Sequence, residues 1–367
     1  MYRWQMAAVI AAAAAGTFFL PGQGMRRIAE AVDHVRDLRF ASGLSPGINL
    51  GNSLDSYGLS RYKEDAAPKE FEVYWHNPVI REEWFWGVKE AGFHSVRIPV
   101  SWGEHADFNF QIDEAWMMRV QEVTDMALDA GLYVILDMHH EKWLVTDVEK
   151  EEEITERLCS IWSQISAVFA DYDERLVFEG MNEPRLIGSD LEWTKGTPEM
   201  REMVNRLNEA FVNTIRESGG YNRERYLLIP GYSGSSQAEA LLDIEVPAGE
   251  NLMVSVHDYS PHSFTSGEGG EELFDPSDPY FWESMDLMTK ILREHFILRG
   301  IPVILTEFGC EEKKNSEERL EWAHCYVDAL REAGIPYIWW DNGAGYRLFD
   351  RVTGEQAEPE LIEILTE

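Results

Sequence analysis

Along this chain, short and nearly continuous apolar runs alternate with longer stretches in which apolar residues recur every three or four positions. The first texture is that of strands buried on both faces, and the second that of helices with one buried face. Read in order, strands are predicted at 48–50, 95–100, 132–138, 175–178, 226–230, 252–257, 301–306 and 335–340. Between them, helices are predicted over 25–40, 81–91, 113–130, 151–169, 198–217, 236–242, 280–299 and 316–333, with a closing helix from 358. Gly92, Gly131 and Gly334 each follow a predicted helix, where a left-handed residue ends the last turn. Eight buried strands without polar alternation, each joined to the next through a helix, predict an α/β protein built as a single (β/α)8 (TIM) barrel over 25–367. An open doubly wound sheet is the competing arrangement. It asks for a glycine-rich phosphate loop after an early strand, and none stands there.

Charge narrows the partners. Asp and Glu number 66 against 32 Lys and Arg, a net charge of -34 that repels nucleic acid and anionic membrane surfaces. Neutral or cationic ligands remain. The 13 Trp, 14 Tyr and 17 Phe need a core or a ligand to stack on, so a disordered chain is excluded. The three cysteines, Cys159, Cys310 and Cys325, fit no zinc spacing, and their odd number rules out a fully paired disulfide framework. Buried free thiols are expected, with one bridge still open. At the N-terminus, Arg3 precedes an apolar, alanine-rich run over 6–20 and then small residues. Residues 1–24 therefore read as an export signal of a secreted protein, the alternative being a helix of the mature chain. No later run is apolar for long enough to span a membrane.

The candidate chemistry collects at the carboxyl ends of the predicted strands. Asn52, Arg97, His139, Asn182 with Glu183, His257 with Tyr259, Glu307 and Trp340 come from seven of the eight, and in a barrel those ends share one mouth. The densest stretch runs from Phe178 to Arg185 and holds Glu179, Asn182, Glu183 and Arg185 ahead of or beside Pro184, which cannot continue a sheet ladder. Two carboxylates facing one another across a mouth suit work on a glycosidic bond. One protonates the leaving oxygen and the other attacks the anomeric carbon. A separation of roughly 5 to 5.5 Å implies retention, and roughly 6.5 to 9.5 Å inversion. Arg97 and Tyr259 are placed to hold one carboxylate ionised, Asn182 to bind a sugar hydroxyl, and Trp340 to stack on a pyranose. Glu179 stands apart from the pair and takes no catalytic role. His139-His140 could instead be a metal pair, but strand neighbours point apart and no third ligand is evident. Trp102, Trp143 and Trp193 could line a cleft or pack in loops, while tryptophans on helices read as core.

Seven runs carry a resemblance. They are Gly47-Ile48-Asn49-Leu50-Gly51-Asn52-Ser53-Leu54-Asp55, Val96-Arg97-Ile98-Pro99, Leu136-Asp137-Met138-His139-His140-Glu141, Phe178 to Arg185, His257-Asp258-Tyr259-Ser260-Pro261, Leu305-Thr306-Glu307-Phe308-Gly309 and Ile338-Trp339-Trp340-Asp341-Asn342-Gly343. In this order, over 46–343, the chain resembles glycoside hydrolase family 5, most of all its subfamily 4 endo-β-1,4-glucanases. The resemblance implies a retaining, endo-acting cellulase that needs no cofactor or metal. It implies Glu183 as acid/base and Glu307 as nucleophile. It carries the family's supporting residues to Arg97, His139, Asn182, His257, Tyr259 and Trp340, with Asn52 and His140 as substrate contacts. Trp340 rather than Trp339 is taken as the platform because it stands nearer the strand's end. The implied partner is a β-linked polysaccharide or oligosaccharide; a monomer is expected. Xyloglucan, mixed-linkage glucan, xylan and mannan stay open as substrates, as does a non-catalytic carbohydrate-binding barrel.

Overall fold

The structure is a computed structural model that describes residues 21–367 except 64, 267–269, 271–272 and 314, with side chains from residue 32 onward. Eight parallel strands close into a barrel in sequence order: β1 Gly47–Asn49, β2 Ser95–Ile98, β3 Tyr133–Asp137, β4 Leu176–Glu179, β5 Leu227–Ser235, β6 Leu252–His257, β7 Val303–Phe308 and β8 Tyr337–Trp339. The seam is β1 against β8, with Gly47 opposite Ile338 and Ile48 opposite Trp339. Helices at Glu82–Glu90, Glu114–Asp129, Glu151–Val168, Pro198–Glu217, Pro279–Ile291 and Ser316–Ala333 make an outer layer, so the predicted (β/α)8 barrel is the fold. The predicted helix over 280–299 leaves α geometry after Ile291, passing through a π turn, Leu292–Phe296, and a 3-10 turn, Ile297–Arg299.

Strand alternation divides the barrel into two environments. Val96, Val134, Leu136, Leu176 and Phe178 face outward and pack with the helices. Ile135, Val177, Leu228, Met253, Ile304 and Ile338 face inward as an apolar layer. Two residues further along most of these strands the inward position is polar: Asp137 after Ile135, Glu179 after Val177, Ser255 after Met253 and Thr306 after Ile304. Asn49 and Arg97, opposite one another in the β1–β2 register, complete this level. The expectation of strands free of polar alternation therefore fails in the upper half of the barrel. Each of these groups is fully buried and hydrogen-bonded to another, which makes their burial tolerable.

The helix Pro21–Gly43 closes the opposite end. Phe40 stacks on Tyr226 at 3.7 Å between centroids, and Ala41 and Leu44 pack into the apolar layer. Residues 1–20 of the predicted export segment lie outside the described residues, and its last four begin this helix. Among the described residues no helix is long and apolar enough to cross a membrane. Cys159, Cys310 and Cys325 are all free thiols, with only Cys310 fully buried.

Candidate active site

The polar upper layer is organised by Arg97, whose side chain has no solvent exposure. Its Nε donates to Glu179 at 2.6 Å. Nη1 donates to Asn49 at 3.0 Å and to Glu307 at 2.7 Å. Nη2 reaches Asn182 Oδ1 and Asp137 Oδ2, each at 2.7 Å. One guanidinium thus ties five elements of the barrel together, and it does so from beneath the cleft. The sequence reading placed Arg97 at the mouth; the structure places it in the floor. Glu179, set apart from catalysis, is the floor's other anchor and also accepts from Ser255 at 2.6 Å.

The loop after β4 lifts Glu183 above this floor. Gly180 N–H bonds to Leu228 and Asn182 N–H to Met138, so the chain stays pinned to both neighbouring strands beyond the end of β4. Position 180 has to be glycine because a Cβ there would stand 2.6 Å from the Phe211 ring. Pro184 leaves its carbonyl free to accept from Ser233 N–H at 2.9 Å. Glu183 then meets two cationic partners, His257 Nδ1 at 3.0 Å from Oε1 and Arg185 Nη1 at 3.3 Å from Oε2.

Glu307 stands opposite on β7. Arg97 donates to its Oε1 and the Tyr259 hydroxyl to its Oε2, the latter at 3.0 Å. His257 Nδ1 lies between the carboxylates, 3.6 Å from Glu307 Oε2. One oxygen of Glu183, one of Glu307 and a His257 nitrogen all lie within 4.8 Å of one another. So close an approach favours the short class of carboxylate pairs, that of retention, over the wider class of inversion.

The electrostatics of the pair pass through the histidine. Burial raises Glu183, but the hydrogen bond and charge of His257, then the charge of Arg185, outweigh it and hold the carboxyl down to about 2. Burial raises Glu307 above the ordinary carboxylate range against the pull of His257 and Arg97, and the charge of Glu183 pushes the same way. His257 is raised by the two carboxylates in spite of its burial. The three groups share their proton as a unit. On His257 it leaves both carboxylates ionised. Passed across the 3.0 Å hydrogen bond to Glu183 Oε1 it arms an acid and leaves a neutral imidazole. Burial keeps the Tyr259 hydroxyl protonated, so it stays a donor to Glu307.

Trp340 lines the cleft just past β8, while Trp339 is buried in the core and donates to the Tyr346 carbonyl. Glycine at 51 admits the platform, since a Cβ would lie 2.7 Å from the Trp340 ring. His139 lies parallel to Trp340, with centroids 5.7 Å apart, and its Nδ1 meets Asp137 at 2.8 Å. The cavity, about 1000 Å³, is walled by residues following β3 to β8, among them His140, Asn182, His257 and Tyr259. Asn52 does not line it; this residue turns the chain after β1 with φ of 57°, and its carbonyl accepts from Asn77.

Two further expectations need correction. His139 and His140 lie beyond the end of β3, so strand alternation does not separate them, and their rings stand 4.4 Å apart. A third potential ligand is also present, because Asp55 brings its carboxylate to them with all three ligand atoms within 4.8 Å. Burial lowers His140 to about 3 and pushes Asp55 up to about 7, so the cluster rests with neutral imidazoles. Trp102, a candidate cleft residue, is fully buried and donates to the Asp137 carbonyl. Trp193 is 61% exposed on the cleft wall, with Arg185 over its ring at 3.9 Å. Sequence reasoning gave no role to Asp137, Asn49, Ser255 or Arg185. The signal for Asp137 and Ser255 was an inward-facing polar residue two positions above an apolar one, Ile135 and Met253.

A barrel mouth with two close carboxylates, a buried arginine beneath one of them and an indole platform defines a glycoside hydrolase of the double-displacement type. Comparison with known proteins agrees. The sequence profile of the cellulase family, glycosyl hydrolase family 5, matches residues 59–345, and the chain belongs to that family. Endoglucanase A of Clostridium longisporum is 40% identical over 297 residues, covering 81% of this chain but only 57% of that relative. Endoglucanase A of Ruminococcus albus is 40% identical over 327 residues, 86% of this chain and 88% of the relative. Among solved structures, a GH5-4 broad specificity endoglucanase from Ruminococcus champanellensis with bound cellotriose superposes with a TM-score of 0.85 at 36% identity, covering 90% of this chain and 98% of that one. A xyloglucan-specific endo-β-1,4-glucanase from a metagenomic library, in complex with cellotriose, gives 0.84 at 34% identity over 91% of this chain and 99% of that one.

Proposed function

We propose that the chain hydrolyses internal β-1,4-glucosidic bonds of cellulose-like glucans with retention, using Glu307 as nucleophile and Glu183 as acid/base. The observation that carries this reading is the pair itself, with oxygens within 4.8 Å and unlike partners. Glu307 is clamped on both oxygens by Arg97 and Tyr259, which fixes its aim and favours its ionised form. Glu183 exchanges a proton with His257. In the first step Glu307 bonds to the anomeric carbon, the glycosidic C–O bond breaks, and the Glu183 proton passes to the leaving oxygen. In the second, water attacks the same carbon, Glu183 takes its proton, and the bond to Glu307 breaks. Asn182 keeps its amide N–H groups for a sugar hydroxyl because its Oδ1 already accepts from Arg97. The cello-oligosaccharides bound in related structures support a β-glucan substrate.

Reducing-end release from a soluble β-glucan by wild type, Glu183→Gln and Glu307→Gln tests the assignment. Both variants are expected to lose at least about a hundredfold in kcat, the scale of one general acid or more. Undiminished release by either would overturn its role. A panel of cellulose, xyloglucan, mixed-linkage glucan, xylan and mannan, with product lengths analysed, tests the substrate; cleavage of mannan alone would end the glucanase reading. Residues 1–24 as an export signal, a secreted location and a monomeric state complete the proposal, and are tested by N-terminal sequencing of exported protein and by light scattering.

A further inference from the structure

A second cavity, about 270 Å³, meets the main cleft at His140, which lines both. The main cleft lies over β3 to β8. The second lies over the loops after β1, β2 and β3, with Tyr57 and Trp143 among its walls. Tyr57, Trp75 and His140 form an aromatic triangle at the junction, with centroids 5.1 to 5.5 Å apart. A sugar chain that crosses His140 away from the catalytic pair therefore enters this cavity.

Its charges are unusual for a chain of net charge -34. Arg61, Lys142 and Arg157 all line it, and among the described residues none of them makes an ion pair. The two carboxylates in the wall are already consumed. Glu104 accepts from Gly58 N–H at 2.5 Å and from Ser60 N–H at 3.0 Å. Glu141 accepts from Trp102 and Gly103 N–H, at 2.6 and 2.9 Å on one oxygen, and from Trp143 Nε1 at 2.5 Å on the other. Both acids thus hold loop backbone in place and offer little to the cations. Lys142 lies over the Tyr57 ring at 4.1 Å and Arg157 over the Trp143 ring at 4.6 Å. Arg157 also donates from Nη2 to the Gly103 carbonyl at 3.3 Å, which holds its guanidinium at the cavity wall. Glu141 and Glu153 stand near it but outside ion-pair distance.

We propose that this cavity is a subsite for a carboxylate-bearing sugar, a hexuronic acid unit of the glucan chain, held by Arg157, Lys142 and Arg61 against Tyr57 and Trp143. The inference rests on the β-glucanase reading and adds a preference for anionic units that the main cleft, walled by Glu183, Glu239, Asp258 and Glu307, does not supply. It accounts for three cations gathered in one wall without an ion pair among the described residues, in a protein that otherwise repels anions.

The test compares kcat/KM on neutral hydroxyethyl-cellulose, on C6-oxidised cellulose carrying uronate units, and on carboxymethyl-cellulose. The quantity read is the ratio of the acidic to the neutral substrate. Lys142→Gln is expected to lower the C6-oxidised ratio about threefold and the Lys142→Gln/Arg157→Gln pair about tenfold, in line with exposed and half-buried charge contacts. Lys142→Arg should keep the wild-type ratio, and added salt should compress that ratio in wild type. Because Lys142 is exposed, Lys142→Glu remains a folded test should Arg157→Gln fail to fold, and it should lower the ratio further than Lys142→Gln. A ratio equal to wild type in both Lys142→Glu and the double variant would overturn the proposal. So would an equal loss on neutral and acidic substrates. A larger fall on carboxymethyl-cellulose than on the C6-oxidised polymer would also overturn the uronic-acid assignment. Failure of the wild type to cleave the neutral polymer would instead count against the glucanase reading.

Discussion

Arg185 offers the most direct probe of how the acid is tuned. It lies 3.3 Å from Glu183 Oε2, 3.2 Å from Glu192 and 3.9 Å from the centre of the Trp193 ring. At 3.3 Å two unit charges interact by about 1.3 kcal/mol at the dielectric constant of water and about 5 kcal/mol at an effective value near 20. Both side chains keep 16% exposure, so the interaction belongs toward the lower end. About 1.5 kcal/mol corresponds to roughly one pH unit. The arginine favours the ionised carboxylate, so its removal raises the pH at which the trio of Glu183, His257 and Glu307 gives up the proton that the leaving group needs. Arg185→Met should move the alkaline limb of kcat/KM upward by about one unit, and Arg185→Lys should leave it near the wild-type position.

The assay is initial-rate hydrolysis of a soluble β-glucan across pH at constant ionic strength, with both variants and wild type. Methionine keeps an apolar stem against Trp193, so lost packing is kept small. An alkaline limb that stays in place in Arg185→Met would refute the electrostatic argument. If KM alone rose, Arg185 would be a brace for Trp193 and Glu192 rather than a tuner of the acid.

Three further outcomes follow from the same geometry. Arg97→Met strands Asp137, Glu179 and Glu307 without their shared cation, and calorimetry should show a loss of about 3–5 kcal/mol, the usual result of breaking a buried ion pair. Trp193→Ala removes an exposed ring from the cleft wall, so KM on long glucans should rise about threefold to tenfold with kcat nearly unchanged, as read by steady-state kinetics. Burial pushes Glu141 up to about 7, above its unfolded value, so its contribution is full below about pH 4.5 and is lost as pH rises through 7. The gap in melting temperature between wild type and Glu141→Gln should therefore narrow by about 2–4 °C between acidic and mildly alkaline buffer, as followed by fluorimetry.

The elements and the two glutamates were legible because each is a local signal. An apolar run declares a buried strand, and Glu183 and Glu307 each lie at or just beyond such a run's end. What sits beneath them was harder to read, because a strand buried on both faces hides its alternation. In Leu176-Val177-Phe178-Glu179 the inward pair is Val177 and Glu179, yet the run looks like a core strand that merely ends in an acid. Only closure of the barrel brings Glu179, Asp137 and Asn49 onto one guanidinium, across β4, β3 and β1. The histidine pair was misjudged for the opposite reason. The period-two rule was applied one turn of backbone too far, beyond Asp137 where β3 stops. Trp102 also follows a strand, as Trp340 does, but folds back to donate to the Asp137 carbonyl and is lost to the cleft. Proximity to a strand end therefore selects candidates for the mouth, while the direction of the first residues beyond the ladder decides which of them reach it. That direction is set by backbone bonds to neighbouring strands, such as Asn182 N–H to Met138 and Trp340 N–H to Phe308. Those partners lie dozens of positions away in the chain and become visible only once the barrel has closed.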